Sequence, residues 1–180
     1  MQKNKISTKQ LTMMAMLIAL SIILTRICKI QIGNSIRIEF GNVPILLAGL
    51  FFGPGAGAVA GGAADILGAN LFGTRFDIPF TLAAMAVGLI GGFFRSFVFT
   101  EKKVFFKTLT MTLTSNILVK MIFTTFLLHR LFGQPLLLLL SVRIPLYLFV
   151  ALAEAFMIHK LIGVEALKQF VKAEKSEAKV

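Results

Sequence analysis

Apolar residues in this chain fall into six runs, at about 10–32, 38–53, 55–72, 78–99, 107–129 and 136–160, with little left between them. Runs near twenty residues match the hydrocarbon thickness of a bilayer, about 30 Å. The pattern therefore predicts six helices that are apolar all round. Turn formers separate several of them: Gly33-Asn34-Ser35 after the first, Gly53-Pro54-Gly55 between the second and third, Gly133-Gln134-Pro135 between the fifth and sixth. The second run is short. Phe40 to Phe52 rises only about 20 Å at about 1.5 Å per residue, so it either tilts or draws on Ile36–Glu39 to complete a crossing.

Composition agrees with a membrane protein. The chain is 57% hydrophobic with a mean hydropathy of +0.85, well above an ordinary soluble domain. The expected fold class is an all-α integral membrane protein, a bundle of six transmembrane helices in a single domain spanning 1–180, with a charged cytoplasmic tail over about 168–180. The start, with Lys3, Lys5 and Lys9 before an apolar stretch, resembles a signal peptide. No small-x-small cleavage site follows, and Arg26 comes next, so it reads as a retained first helix. Cys28 is the sole cysteine, which leaves no intrachain disulfide.

The formal net charge of +11 changes the picture only once its positions are considered. Twelve Lys and Arg fall in the N-terminus, the loop between the fourth and fifth runs, and the tail; five fall on the opposite side. Basic residues gather on the cytoplasmic side of membrane helices, so both termini are expected inside. Orientation and anionic lipid account for the charge, and no nucleic-acid partner is expected.

Four ionisable residues lie within the runs: Arg26, Asp65, Lys120 and Arg143. Such residues usually face a partner, a cavity or a substrate. Counting about 1.5 Å per residue places Arg26 about 22 Å and Lys120 about 20 Å from the cytoplasm, Arg143 about 10 Å below the outer surface, and Asp65 near the midplane. Three cations thus converge on the outer half with one carboxylate beside them. Ion pairing with Asp65 satisfies one cation while the others snorkel outward. An anionic ligand would satisfy the rest. Asn34, Asn70, Thr74, Asn116, Thr124 and Thr125 supply polar neighbours, and Phe40, Phe72, Phe76, Phe80 and Phe123 supply flat apolar ones. Any single Phe reads equally as packing. Glu154 stands alone near the inner end of the sixth run, where it caps or pairs with a cytoplasmic Lys.

Small residues recur at four-residue spacing: Gly57 and Gly61, Ala60 and Ala64, then Ala84, Gly88 and Gly92. This spacing lets helix backbones approach closely in a bilayer, and internal packing is the expected use. The glycine run lacks the Gly-Lys-Ser/Thr ending of a phosphate loop. No nucleophile elbow or HExxH pair occurs, and His129 and His159 fall on opposite membrane faces. No enzyme activity, cofactor or metal site is expected.

Taken together, Ala15-x-x-x-Ala19, Leu24-Thr-Arg26, the run from Ile36 to Pro54, and Gly55 through Asp65 to Gly68 resemble the substrate-binding S components of energy-coupling factor (ECF) vitamin transporters, the folate-specific ones in particular. The likeness covers the chain in length and topology, with its specific motifs in 15–68. It implies six helices with both termini inside, an outward site closed by the loops after the first and third helices, and a bacterial cell membrane location. It implies partnership with a transmembrane coupling subunit, contacted here by Ala15 and Ala19, and with two ATPases that consume the ATP. It assigns Arg26 to the ligand. The expected substrate-binding set is Arg26, Asn34, Arg37, Phe40, Asp65, Asn70, Phe76, Lys120 and Arg143. Folate fits it: the glutamate carboxylates suit the three cations, and the N–H donors of the pterin edge suit Asp65. Pantothenate, hydroxymethylpyrimidine or pyridoxine are alternatives within the family. A stand-alone channel or structural bundle with paired charges is the alternative outside it.

Overall fold

A computed structural model describes residues 8–32, 36–73, 77–99, 104–133 and 135–163. The first helix, α1, is Thr8–Arg26, followed by two short strands, β1 (Ile30–Ile32) and β2 (Ile36–Ile38). Then come α2 (Asn42–Phe52), α3 (Pro54–Leu71), α4 (Ile78–Phe93), the short α5 (Arg95–Phe99) and α6 (Val104–Ser115). A π-helical stretch, Asn116–Phe123, continues α6 into α7 (Thr124–Phe132), and α8 (Leu136–Ile162) completes the bundle. Among the described residues, three helices are long and apolar enough to cross a membrane: Thr8–Arg26, Val104–Arg130 and Leu139–Ile162. Asn42–Phe52 and Ile78–Phe93 are shorter apolar helices.

The structure departs from the hydrophobic pattern in definite places. The first run ends as a helix at Arg26, and its last residues enter a hairpin. β1 and β2 pair antiparallel in the register Ile30↔Ile38, Gln31↔Arg37, Ile32↔Ile36. Ile36–Glu39 therefore does not lengthen the second helix, which is 11 residues long. The signal for the hairpin was present: β-branched residues alternate with polar ones on both sides of a turn-forming cluster. The fourth run divides into α4 and α5 at Phe94, and the fifth is longer than its apolar core, from Val104 to Phe132.

The breaks are local chemistry. Gly53 takes φ 90° and ψ 174°, a conformation open to glycine, and Pro54 follows at the first position of α3, where its missing N–H costs nothing. Gly133, at φ 63°, caps α7 in the left-handed conformation, its N–H donating to the His129 carbonyl at 3.1 Å.

The core is built around α2, buried continuously from Asn42 to Phe51. Its cover comes from α1, α3 and α4. Small residues make the α2–α3–α4 junction. A Cβ on Gly57 would collide with the Gly88 carbonyl, one on Gly88 with the Gly57 carbonyl, one on Gly61 with the Ala84 carbonyl, and one on Gly92 with Pro54. Ala60 and Ala64 are buried as well. The second half packs α6 and the π-helical stretch against α8, and meets the first half where α2 touches α8 and α4 touches α6.

Candidate functional site

The C-terminal end of α1, the middle of α3 and the start of α4 meet at Asp65. Its Oδ1 lies 3.4 Å from Arg26 Nη2, and its Oδ2 accepts from Thr81 Oγ1 at 2.7 Å. Gly68, one turn beyond Asp65, leaves room for the guanidinium: a Cβ there would stand 3.1 Å from Arg26 Nε. A charge-assisted N–H···O bond is usually about 2.7–2.9 Å. Thr81 therefore holds the carboxylate more closely than Arg26 does.

A second group joins distant parts of the chain. Lys120 Nζ donates to Glu39 Oε1 at 2.7 Å, with 14% of each side chain exposed. Glu39 lies in the link between β2 and α2. That link is anchored to α1, since Ser21 Oγ donates to the Gly41 carbonyl at 2.8 Å and a Cβ on Gly41 would strike the Thr25 side chain. Thr25, next to Arg26 in the chain, thus lies against the link that carries Glu39.

The third group sits on α7 and α8. Arg143, 4% exposed, donates from Nη1 to Thr125 Oγ1 at 3.0 Å and lies 5.9 Å from the Tyr147 ring centre. Thr125 in turn donates to the Lys120 carbonyl at 3.3 Å, and Thr124 to the Val119 carbonyl at 2.8 Å. Both bonds span five residues, the spacing of a π-helix, a form often found at functional sites. The two threonine hydroxyls satisfy carbonyls at the end of the stretch and tie Lys120 to Arg143.

Deeper in the bundle, Glu154 is fully buried. Its Oε2 accepts from Asn116 Nδ2 at 2.6 Å, and the same amide donates to the Thr112 carbonyl at 2.9 Å. Thr112 Oγ1 donates across to the Ala151 carbonyl at 3.0 Å. Glu154 Oε1, Asn116 Oδ1 and Ser115 Oγ have no hydrogen-bond partner among the described residues.

Two sequence expectations are corrected here. Asp65 is not the one carboxylate facing the outer cations, because Glu39 answers Lys120. Glu154, expected to cap or pair with a cytoplasmic Lys, is bonded to Asn116 inside the bundle and to no lysine among the described residues. Both were missed for one reason: their partners lie 81 and 38 positions away, and no local pattern joins them. Thr81 was missed likewise.

Of the expected ligand set, Arg26, Asp65, Lys120 and Arg143 all fall in these groups. Phe40 neighbours Glu39 and is half-buried. Asn70 is exposed, with Nδ2 bonded to the Ile66 carbonyl of its own helix at 2.9 Å. Arg37 lies in β2. Asn34, Thr74 and Phe76 lie outside the described residues, as does the tail 168–180. Ala15 and Ala19 are exposed on α1, beside the exposed Leu11, Met16, Leu20 and Ile23. Among the described residues, no group of three or more His, Cys, Asp or Glu could hold a metal ion.

Apolar helices of membrane-spanning length that carry cations paired with carboxylates and hydroxyls mark a membrane-embedded protein. The family model described as "ECF-type riboflavin transporter, S component" matches residues 5–164. The folate transporter FolT of Clostridium novyi (strain NT) is 34% identical over 133 residues, covering 73% of this chain and 74% of that one. The chain belongs to the family of ECF transporter S components, which are substrate-binding transport subunits.

Solved structures share the fold. FolT crystallised with folic acid aligns at a TM-score of 0.75 and 24% identity, over 86% of this chain and 93% of that one. A bacterial ECF transporter S component aligns at 0.63 and 24% identity, over 91% and 98%. The S component for biotin of an ECF-type ABC transporter aligns at 0.69 and 23% identity, over 95% and 100%.

Proposed function

We propose that this chain captures folate from outside a bacterial cell and passes it inward in partnership with a transmembrane coupling subunit and two ATPases. The protein crosses the membrane six times, with both termini in the cytoplasm, as the bias of basic residues supports. The observation that carries the ligand assignment is Arg26, at the end of α1 and only 3.4 Å from Asp65. Thr81 holds Asp65 at 2.7 Å, and a ligand carboxylate would share the guanidinium with Asp65. Lys120 and Arg143, joined through Thr125, add cationic donors for the glutamate end of folate. Asp65 and the threonine hydroxyls suit the polar edge of the pterin. The curated relative named for folate supports the same choice.

Riboflavin is the second reading, favoured by the name of the matching family model. A neutral flavin makes no use of three cations, and folate is the better chemical match. The exposed apolar face of α1 around Ala15 and Ala19 is assigned to the coupling subunit, because small side chains permit close helix approach. Native mass spectrometry of the protein purified from cells tests the ligand. A co-purified species of the mass of folate or a reduced folate is expected; riboflavin in its place overturns the assignment.

A further inference from the structure

Lys120 is a cation set within an apolar span, and the chain already answers it with a carboxylate of its own. The Glu39–Lys120 pair is short, at 2.7 Å, and largely shielded, with 14% of each side chain exposed. It joins residues 81 positions apart, so helix geometry does not impose it. Glu39 offers the buried ammonium the same group that an anionic ligand would offer, a carboxylate oxygen at hydrogen-bond distance.

We infer that Glu39 is a resident stand-in for a ligand carboxylate. It occupies Lys120 in the ligand-free protein, must be displaced by an anionic substrate, and thereby sets the preference between anionic and neutral ligands. The inference rests on the proposed reading of this cluster as the substrate site.

The physical argument is an exchange. An ammonium at this depth without a partner is costly, so Glu39 stabilises the ligand-free state. An anion gains Lys120 only by breaking that pair, so part of its binding energy offsets the loss. A neutral ligand exchanges nothing. The link carrying Glu39 is held to α1 through Ser21 and Gly41, so the displacement belongs to the side chain rather than to the backbone. An ion pair of purely structural use has the opposite consequence: its loss loosens the site and weakens every ligand alike.

The test uses the full chain in detergent and two matched ligand pairs, folate with neutral 6-hydroxymethylpterin, and riboflavin 5′-phosphate with neutral riboflavin. Dissociation constants are measured by titration calorimetry for the wild type, Glu39→Gln, Lys120→Met and the double variant. For the pair that the wild type binds, Glu39→Gln should tighten the anionic member by about tenfold, a modest share of what close charge pairs are worth. The neutral member should stay within about twofold. In the Lys120→Met background the same change should alter neither. Weakening of both members, or no change in the anionic one, overturns the inference, as does tightening that persists without Lys120. Binding of the flavin pair alone overturns the folate assignment and leaves this test intact, whereas a folded wild type that binds neither pair overturns both. Should Glu39→Gln not fold, Glu39→Asp draws the carboxylate back by one methylene and should give a smaller change of the same sign.

Discussion

At the scale of single residues, the decisive fact is which side chain holds which. Asp65 was legible as a carboxylate within an apolar span because it interrupts a small-residue helix. Its closest partner, Thr81 at 2.7 Å, was not legible, since a threonine at the start of an apolar helix carries no signal of its own. The division of labour has a measurable consequence. Arg26→Ala should weaken folate binding by at least about tenfold, as expected for truncating one partner of a buried charged contact. Thr81→Val should cost about fivefold, the worth of one ordinary hydrogen bond, by loosening Asp65 rather than by touching the ligand's carboxylates. Fluorescence quenching or calorimetry in detergent reads both. Affinity unchanged in Arg26→Ala would mean that Arg26 and Asp65 are a structural pair.

Elements are where the small residues divide into two uses. Gly57, Gly61, Gly88 and Gly92 lie at backbone-to-backbone crossings of α2, α3 and α4. Ala15 and Ala19 share their spacing and lie exposed on α1. Sequence spacing alone does not separate an internal seam from a docking face, because both require short side chains one turn apart. Substitution does separate them. Gly88→Val should destabilise the fold by at least about 3 kcal/mol, the upper range for overpacking, because a side chain there meets a carbonyl that cannot yield; thermal unfolding in detergent reports it. Ala15→Trp with Ala19→Trp should leave folding and ligand affinity intact yet abolish co-purification with the coupling subunit and uptake into cells. Loss of ligand binding in that double variant would instead make the α1 face part of the internal packing.

For the whole molecule, the open question is orientation. The basic bias assigns the end of α1 and the hairpin to the outer side. Cys28 lies there, exposed and the sole cysteine of the chain. It is thus a ready reporter. A membrane-impermeant maleimide added to intact cells should label it without permeabilisation. Labelling that requires permeabilised cells would invert the topology and move the cluster of Arg26, Lys120 and Arg143 to the inner half.

The amino-acid sequence by itself determined the class of protein, the approximate number and place of its apolar helices, the breaks at Gly53-Pro54 and Gly133, and the four charges within the apolar runs. Each of these is a local property, written in hydropathy, in glycine and proline, or in the cost of a charge at bilayer depth. The tertiary structure alone decided that Glu39 meets Lys120, that Glu154 turns inward to Asn116, and that Thr125 joins Arg143 to the Lys120 carbonyl. It also decided that residues 36–38 pair as a strand rather than lengthen α2. In a bilayer the lipid covers any apolar face equally well, so hydrophobicity sorts residues into spans without choosing which helices touch. Close packing and the need to satisfy each buried polar group make that choice, and both depend on residues far apart in the chain.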